Sequence, residues 1–150
     1  WPTRDDDVAI VNGVEARLIE AEAQLRSGNA AWLATLNTLR ASFQTLKEPT
    51  NTTTATASLA PLVDPGTNVA QEDLVFRERA FWLFGRGHRL ADMRRLVRPV
   101  AQGGFGRAVN SVFPNGPYFK GGEFGGDVNV IVPQLERNNP NFSGCTNRSA

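Results

Sequence analysis

The chain has 150 residues, enough for one ordinary domain, and 41% of them are apolar, enough for a buried core. A net charge of +1 excludes a global electrostatic pull toward nucleic acid or an anionic membrane surface. No run of about 18 apolar residues occurs, so no segment reads as membrane-spanning.

Of the 16 basic residues only Lys47 and Lys120 are lysine; the rest are arginine, whose planar fork suits ion pairs held in fixed geometry. No basic segment leads into an apolar run at the start, and the beginning at Trp1 reads as the interior of a longer protein. The single cysteine, Cys145, reads as an unpaired thiol.

Residues 5–27 read as a helix, because Val8, Val11, Val14, Leu18, Ala21 and Leu25 recur at steps of three and four. Asp5, Asp6 and Asp7 would lie at its positive end. Ser27-Gly28-Asn29 reads as a stop and a restart, with Gly28 ending one helix and Asn29 capping the next. The second helix, 30–47, carries Trp32, Leu36, Leu39, Phe43 and Leu46 on one face. The connection is short enough to make the two helices antiparallel neighbours.

Residues 49–67 read as a loop, with 50–58 expected to be mobile and Asp64-Pro65-Gly66 as a turn. A third helix is expected over 68–84, opened by Asn68 with Gln71 completing a capping box. Leu74, Val75, Phe76, Ala80, Phe81, Trp82, Leu83 and Phe84 make it apolar nearly all round. Such a helix is expected to be buried on several sides, one of them against another part of a longer protein or a second subunit. Gly85 and Gly87 should interrupt it before a fourth helix, 88–98, with Leu90, Met93 and Val97 on one face and Pro99 at its end.

From 99 to 150 the chain is rich in Gly, Pro and Asn and has no helical period, so ordered coil is expected, with Val128–Val132 suited to a short strand. The fold class read from these elements is mainly α, built as tetratricopeptide-like antiparallel hairpins followed by a long Gly/Pro/Asn-rich coil. No self-similarity at the period of about 34 residues identifies that repeat directly.

The densest charge lies between residues 77 and 107, where eight arginines accompany only Glu78 and Asp92. An anion clamp is one reading. The other, preferred here, is a structural ion-pair network of Glu78, Arg79, Arg89 and Asp92 that ties the third and fourth helices together; Arg89 and Asp92 are three residues apart, within helical pairing distance. His88 is the only histidine and has neither a metal-ligand pattern nor a nucleophile-elbow motif beside it. Gly85-Arg86-Gly87 and Gly103-Gly104-Phe105-Gly106 lack the strand–turn–helix setting of a phosphate loop. No residue reads as catalytic or metal-ligating, and no cofactor is implied. The glycine-rich tail also holds Phe105, Phe113, Tyr118, Phe119 and Phe124 beside Asn115. These rings either anchor coil to the core or stack on sugar rings; Phe113, Tyr118, Phe119 and Phe124 are the candidate ligand-binding residues.

Four segments resemble one family in order. Glu15-Ala16-Arg17-Leu18-Ile19-Glu20-Ala21-Glu22-Ala23 resembles its acidic-alanine helix, and Leu36-Asn37-Thr38-Leu39-Arg40 its LN-x-x-R helix. Glu78-Arg79, Gly87-His88-Arg89 and Asp92-x-x-Arg95 are similar to its ER…EGHR…DL-x-R segment. Pro133-Gln134-x-Glu136 and Asn139-Pro140-Asn141 are similar to its closing PIPQ-x-E…NPN. The family is the SusD/RagB-type outer-membrane nutrient-binding lipoproteins, and the resemblance is to their C-terminal portion. The chain departs from the pattern at Arg86 and Trp82, where acidic residues are usual, and at Phe142-Ser143-Gly144-Cys145.

The resemblance implies a tetratricopeptide-like scaffold at the outer membrane, cell surface or periplasm of a Gram-negative bacterium. It implies a non-catalytic protein that captures oligosaccharide or peptide for a TonB-dependent transporter of the SusC type. None of the matched motifs is a ligand-binding motif of the family. A structural accessory subunit of a larger envelope assembly, with no ligand of its own, is the alternative; nucleic acid is not an expected partner.

Overall fold

The computed structural model describes residues 11–43, 59–130 and 133–142. It is mainly helical, and among the described residues there is no strand, only an isolated antiparallel bridge between Pro117 and Glu123. The principal helices are α1 (Gly13–Arg26), α2 (Ala31–Ala41), α3 (Asn68–Trp82) and α4 (Arg89–Val97), followed by the short turns α5 (Val109–Val112) and α6 (Gln134–Arg137). The chain divides into two compact units, one ending at Arg86 and the other beginning at Gly87.

In the first unit α1 starts later than the acidic triplet suggests. Val11 and Asn12 are not helical, and the Asn12 side chain accepts the backbone N–H of Glu15 at 2.9 Å. Asn12 is therefore the N-cap, and Glu15 supplies the carboxylate of the first turn. The expected helix beginning at residue 5 is corrected to one beginning at Gly13; residues 5–10 lie outside the described residues. The helix ends where Ser27-Gly28-Asn29 places it. Gly28 takes a positive φ of 71°, its N–H reaches the Leu25 carbonyl, and the Asn29 N–H reaches the Gln24 carbonyl at 2.9 Å. Those two bonds form a Schellman closure. The N-cap of α2 is Ala30 rather than the expected Asn29, which stands one residue earlier and accepts the Ala31 N–H on its side chain at 3.0 Å.

Helix α2 runs to Ala41, and the expected continuation over 44–47 lies outside the described residues. So do the expected mobile stretch 50–58, positions 131–132 of the expected strand, and Cys145. Residues 128–130, which are described, are not strand. Thr67 caps α3, its Oγ1 accepting the Ala70 N–H at 3.3 Å. This corrects the expected cap, Asn68, which is the first helical residue. Gln71 does not close a capping box either, because its amide donates to Asp64 Oδ1 at 2.8 Å.

The core of this unit joins Leu18 and Ala21 of α1, Trp32, Leu36 and Leu39 of α2, and Leu74 and Val75 of α3, with Leu83 just beyond α3. Helix α1 packs on both α2 and α3. Leu18, Leu36 and Val75 are fully buried, and each contributes about 1.5–3 kcal/mol of transfer free energy. The third helix is less enclosed than its composition suggests. Phe76 is buried and Trp82 half-buried, but Phe81 and Phe84 are 71% and 86% exposed.

The second unit begins with α4, which buries Asp92 and Leu96 and leaves Leu90, Met93 and Val97 half-buried. The glycine-rich segment after it folds back along the helix end. The N–H groups of Phe105, Gly106 and Arg107 donate to the carbonyls of Arg95, Arg98 and Leu96 at 3.3, 2.8 and 2.9 Å. Carbonyls that a helix end leaves without partners are satisfied this way. Gly104 is required at the crossing, because a Cβ there would overlap the Arg98 carbonyl oxygen. The expected coil thus contains a 3₁₀ turn at Val100–Gln102 and two short helical turns.

Candidate binding site

The candidate ligand-binding rings fall on residues 113–124 of the second unit. Pro117 and Glu123 bridge as antiparallel neighbours, and the chain between them turns tightly. The Tyr118 N–H donates to the Gly122 carbonyl at 2.9 Å, the Gly121 N–H to the Tyr118 carbonyl at 2.8 Å, and the Phe124 N–H to the Gly116 carbonyl at 3.0 Å. Gly121 and Gly122 both take positive φ, 99° and 79°, which side-chain-bearing residues rarely adopt.

This turn gathers three of the four rings. Tyr118 packs edge-on against Phe119, with centroids 4.7 Å apart, and against Phe124 at 5.1 Å. Both pairs lie in the separation range of favourable aromatic contacts. Phe119 is 82% exposed and Phe124 39% exposed. Phe113 is half-buried and, among the described residues, makes no ring contact with the other three. Sequence reasoning missed Lys120, whose Nζ lies 5.5 Å from the Phe119 ring centroid, within cation–π range. Its position beside Phe119 and before two glycines was the available signal. The group offers two exposed rings, Phe119 and Phe124, held by the half-buried Tyr118, with the Lys120 ammonium beside Phe119. Chemically it can stack on flat or ring-shaped ligands, and it contains no nucleophile–base pair.

Of the expected network, Glu78 and Arg79 belong to the first unit and Arg89 and Asp92 to the second. Glu78 is buried in the first unit, and its partner is Arg40 of α2, whose Nη1 lies 2.9 and 3.0 Å from the two carboxylate oxygens. Trp82, one turn along α3, donates its indole N–H to the same carboxylate at 3.2 Å. Arg79 is also buried in this unit. In the second unit Arg95 Nη1 lies 3.4 Å from Asp92 Oδ1, while Arg89 is exposed. At the same spacing of three residues, the neighbour seen beside Asp92 is Arg95 rather than the expected Arg89.

Arg40 does a second job. Its Nε donates to the Ala60 carbonyl at 2.7 Å, and Asn37, three residues earlier, clamps Leu62 with two bonds. The Asn37 Nδ2 donates to the Leu62 carbonyl at 3.1 Å, and its Oδ1 accepts the Leu62 N–H at 2.7 Å. The Leu36-Asn37-Thr38-Leu39-Arg40 segment thus holds the approach to α3 in place and is structural in this unit. Among the described residues no group of three or more His, Cys, Asp or Glu side chains is placed to hold a metal ion, and no described helix is long and apolar enough to cross a membrane.

No family model, no curated protein and no solved structure matches this chain.

Proposed function

We propose that this chain is a non-catalytic nutrient-capture module of the SusD/RagB type, binding oligosaccharide or peptide at the outer membrane and passing it to a TonB-dependent transporter. The observation that carries the reading is the ring group of Tyr118, Phe119 and Phe124 on a glycine-framed turn, with Phe119 and Phe124 exposed and Tyr118 half-buried. Aromatic faces held on a short turn lose little conformational freedom on binding, and they match the C–H faces of pyranose rings. The order of the four resembling segments supports the family. So does the role of its LN-x-x-R residues here: Asn37 clamps the segment before α3 at Leu62, and Arg40 joins α2 to Glu78 of α3. In this reading α1 and α2 form an antiparallel, tetratricopeptide-like hairpin that serves as scaffold.

Calorimetric titration with a panel of neutral oligosaccharides and short peptides tests the proposal. At least one class should bind and be recovered chemically unchanged. Absence of binding across the panel, or recovery of a cleaved ligand, would refute it. The alternative, a structural subunit of an envelope assembly, draws its support from the exposed rings at the end of α3.

A further inference from the structure

Helix α3 presents one outward row. Val69, Asp73, Arg77 and Phe81 follow at steps of four, and Phe84 continues the row just past the helix end. All five are exposed, Val69 by 54%. The rest of the helix surface buries Leu74, Val75, Phe76, Glu78 and Arg79, with Leu74 and Phe76 flanking the row. The order along the row is apolar, acidic, basic, apolar.

That order is self-complementary. Reversing the row about its midpoint, between Asp73 and Arg77, exchanges Asp73 with Arg77 and Val69 with Phe81. A two-fold interface requires this property: residue i meets residue j, and j meets i. Rows of four-spaced side chains on two helices lie parallel when the helices cross at about −50°, the commonest helix packing. In that arrangement two Asp73–Arg77 pairs form at the centre, and each end closes Phe81 against Val69. The alternative order of charges, with like meeting like, would repel.

We propose that the exposed face of α3 is a docking surface for a second copy of this chain, set antiparallel about the Asp73–Arg77 midpoint. The row from Val69 to Phe81 is about 18 Å long at 1.5 Å per residue. A contact of that length is at the small end of specific interfaces, so the dimer is weak and concentration-dependent. The row belongs to the first unit, and its docking does not depend on the ligand-capture reading.

Sedimentation velocity over a concentration series, on the 150-residue chain, tests the proposal. The wild type should shift from monomer toward dimer as concentration rises. Asp73→Arg sets like charges opposite each other, as does Arg77→Asp, and each variant alone should lose at least tenfold in association. An equimolar mixture of the two single variants should recover it, because every facing pair is then opposite in charge; the double variant Asp73→Arg/Arg77→Asp should recover it too. Both positions are exposed, and unchanged far-UV circular dichroism would verify that each variant is folded. A wild type that stays monomeric throughout overturns the proposal. So does association insensitive to both single variants, or a loss that neither the mixture nor the double variant restores.

Discussion

Arg40 and Glu78 are 38 residues apart in sequence, yet Nη1 of the first lies within 3.0 Å of both carboxylate oxygens of the second. The carboxylate side chain is 4% exposed and the guanidinium side chain 18%. Removing one partner leaves a charge buried, so Arg40→Leu should cost about 3–5 kcal/mol. Replacing both, Arg40→Leu with Glu78→Leu, should cost less than Arg40→Leu alone, because no ion is left uncompensated. Urea unfolding of the wild type, both single variants and the double variant gives the cycle. A double variant as unstable as the sum of the singles would contradict the pairing.

Leu18 and Leu36 are both fully buried in the shared core of the first unit. Leu36→Ala should destabilise by about 2–5 kcal/mol through lost transfer free energy and the cavity left behind. A loss below about 0.5 kcal/mol in chemical denaturation, the range of an ordinary surface change, would contradict its place in the core.

Much of this core was legible in the sequence, because burial on a helix leaves a period: Leu18, Trp32, Leu36 and Leu39 all fall where steps of three and four put them. The start of α1 was not. Three consecutive aspartates drew the reading to residue 5, while the working signal was Asn12 followed three residues later by Glu15. Glu78 was recognised as a network residue, but no local spacing rule finds a partner on another helix. The fold-back after α4 is made of backbone hydrogen bonds, which leave no side-chain pattern beyond the glycine at 104. At the candidate site the composition singled out the rings, whereas their grouping depends on a turn that two glycines set, so Phe113 could not be separated from the other three.

Gly104 tests the fold-back. A methyl group there meets the Arg98 carbonyl, so Gly104→Ala should destabilise the second unit by about 3 kcal/mol. Gly125 has open space at its Cβ position and no positive φ, and Gly125→Ala should be close to neutral. Amide exchange at Gly106 and Arg107 should accelerate in the first variant and not in the second. Equal effects of the two substitutions would contradict the close approach.

Asp64 tests the entry to α3. The Gln71 side-chain amide, first, and the Gly66 backbone N–H, second, hold its carboxyl below the ordinary value of 3.8. A carboxyl whose folded value is depressed adds stability above its unfolded value and loses it as pH falls through the folded one. The small gap in urea midpoint between wild type and Asp64→Ala should therefore be full at neutral pH. It should shrink as pH falls below about 4, the ordinary aspartate range. A gap unchanged from neutral pH into strong acid would contradict the role given to the carboxylate.

The central claim is that the Tyr118–Phe119–Phe124 group captures ligand, and chemical-shift mapping tests it most directly. The isotope-labelled chain would be titrated with the oligosaccharide or peptide that binds best in calorimetry, alongside a Tyr118→Ala/Phe119→Ala variant. Stacking on aromatic faces predicts that the largest ring and amide shifts fall at Tyr118, Phe119, Lys120 and Phe124. The variant should lose at least tenfold in affinity, on the order of 1.4 kcal/mol. Shifts concentrated elsewhere, with full affinity kept in the variant, would contradict the account.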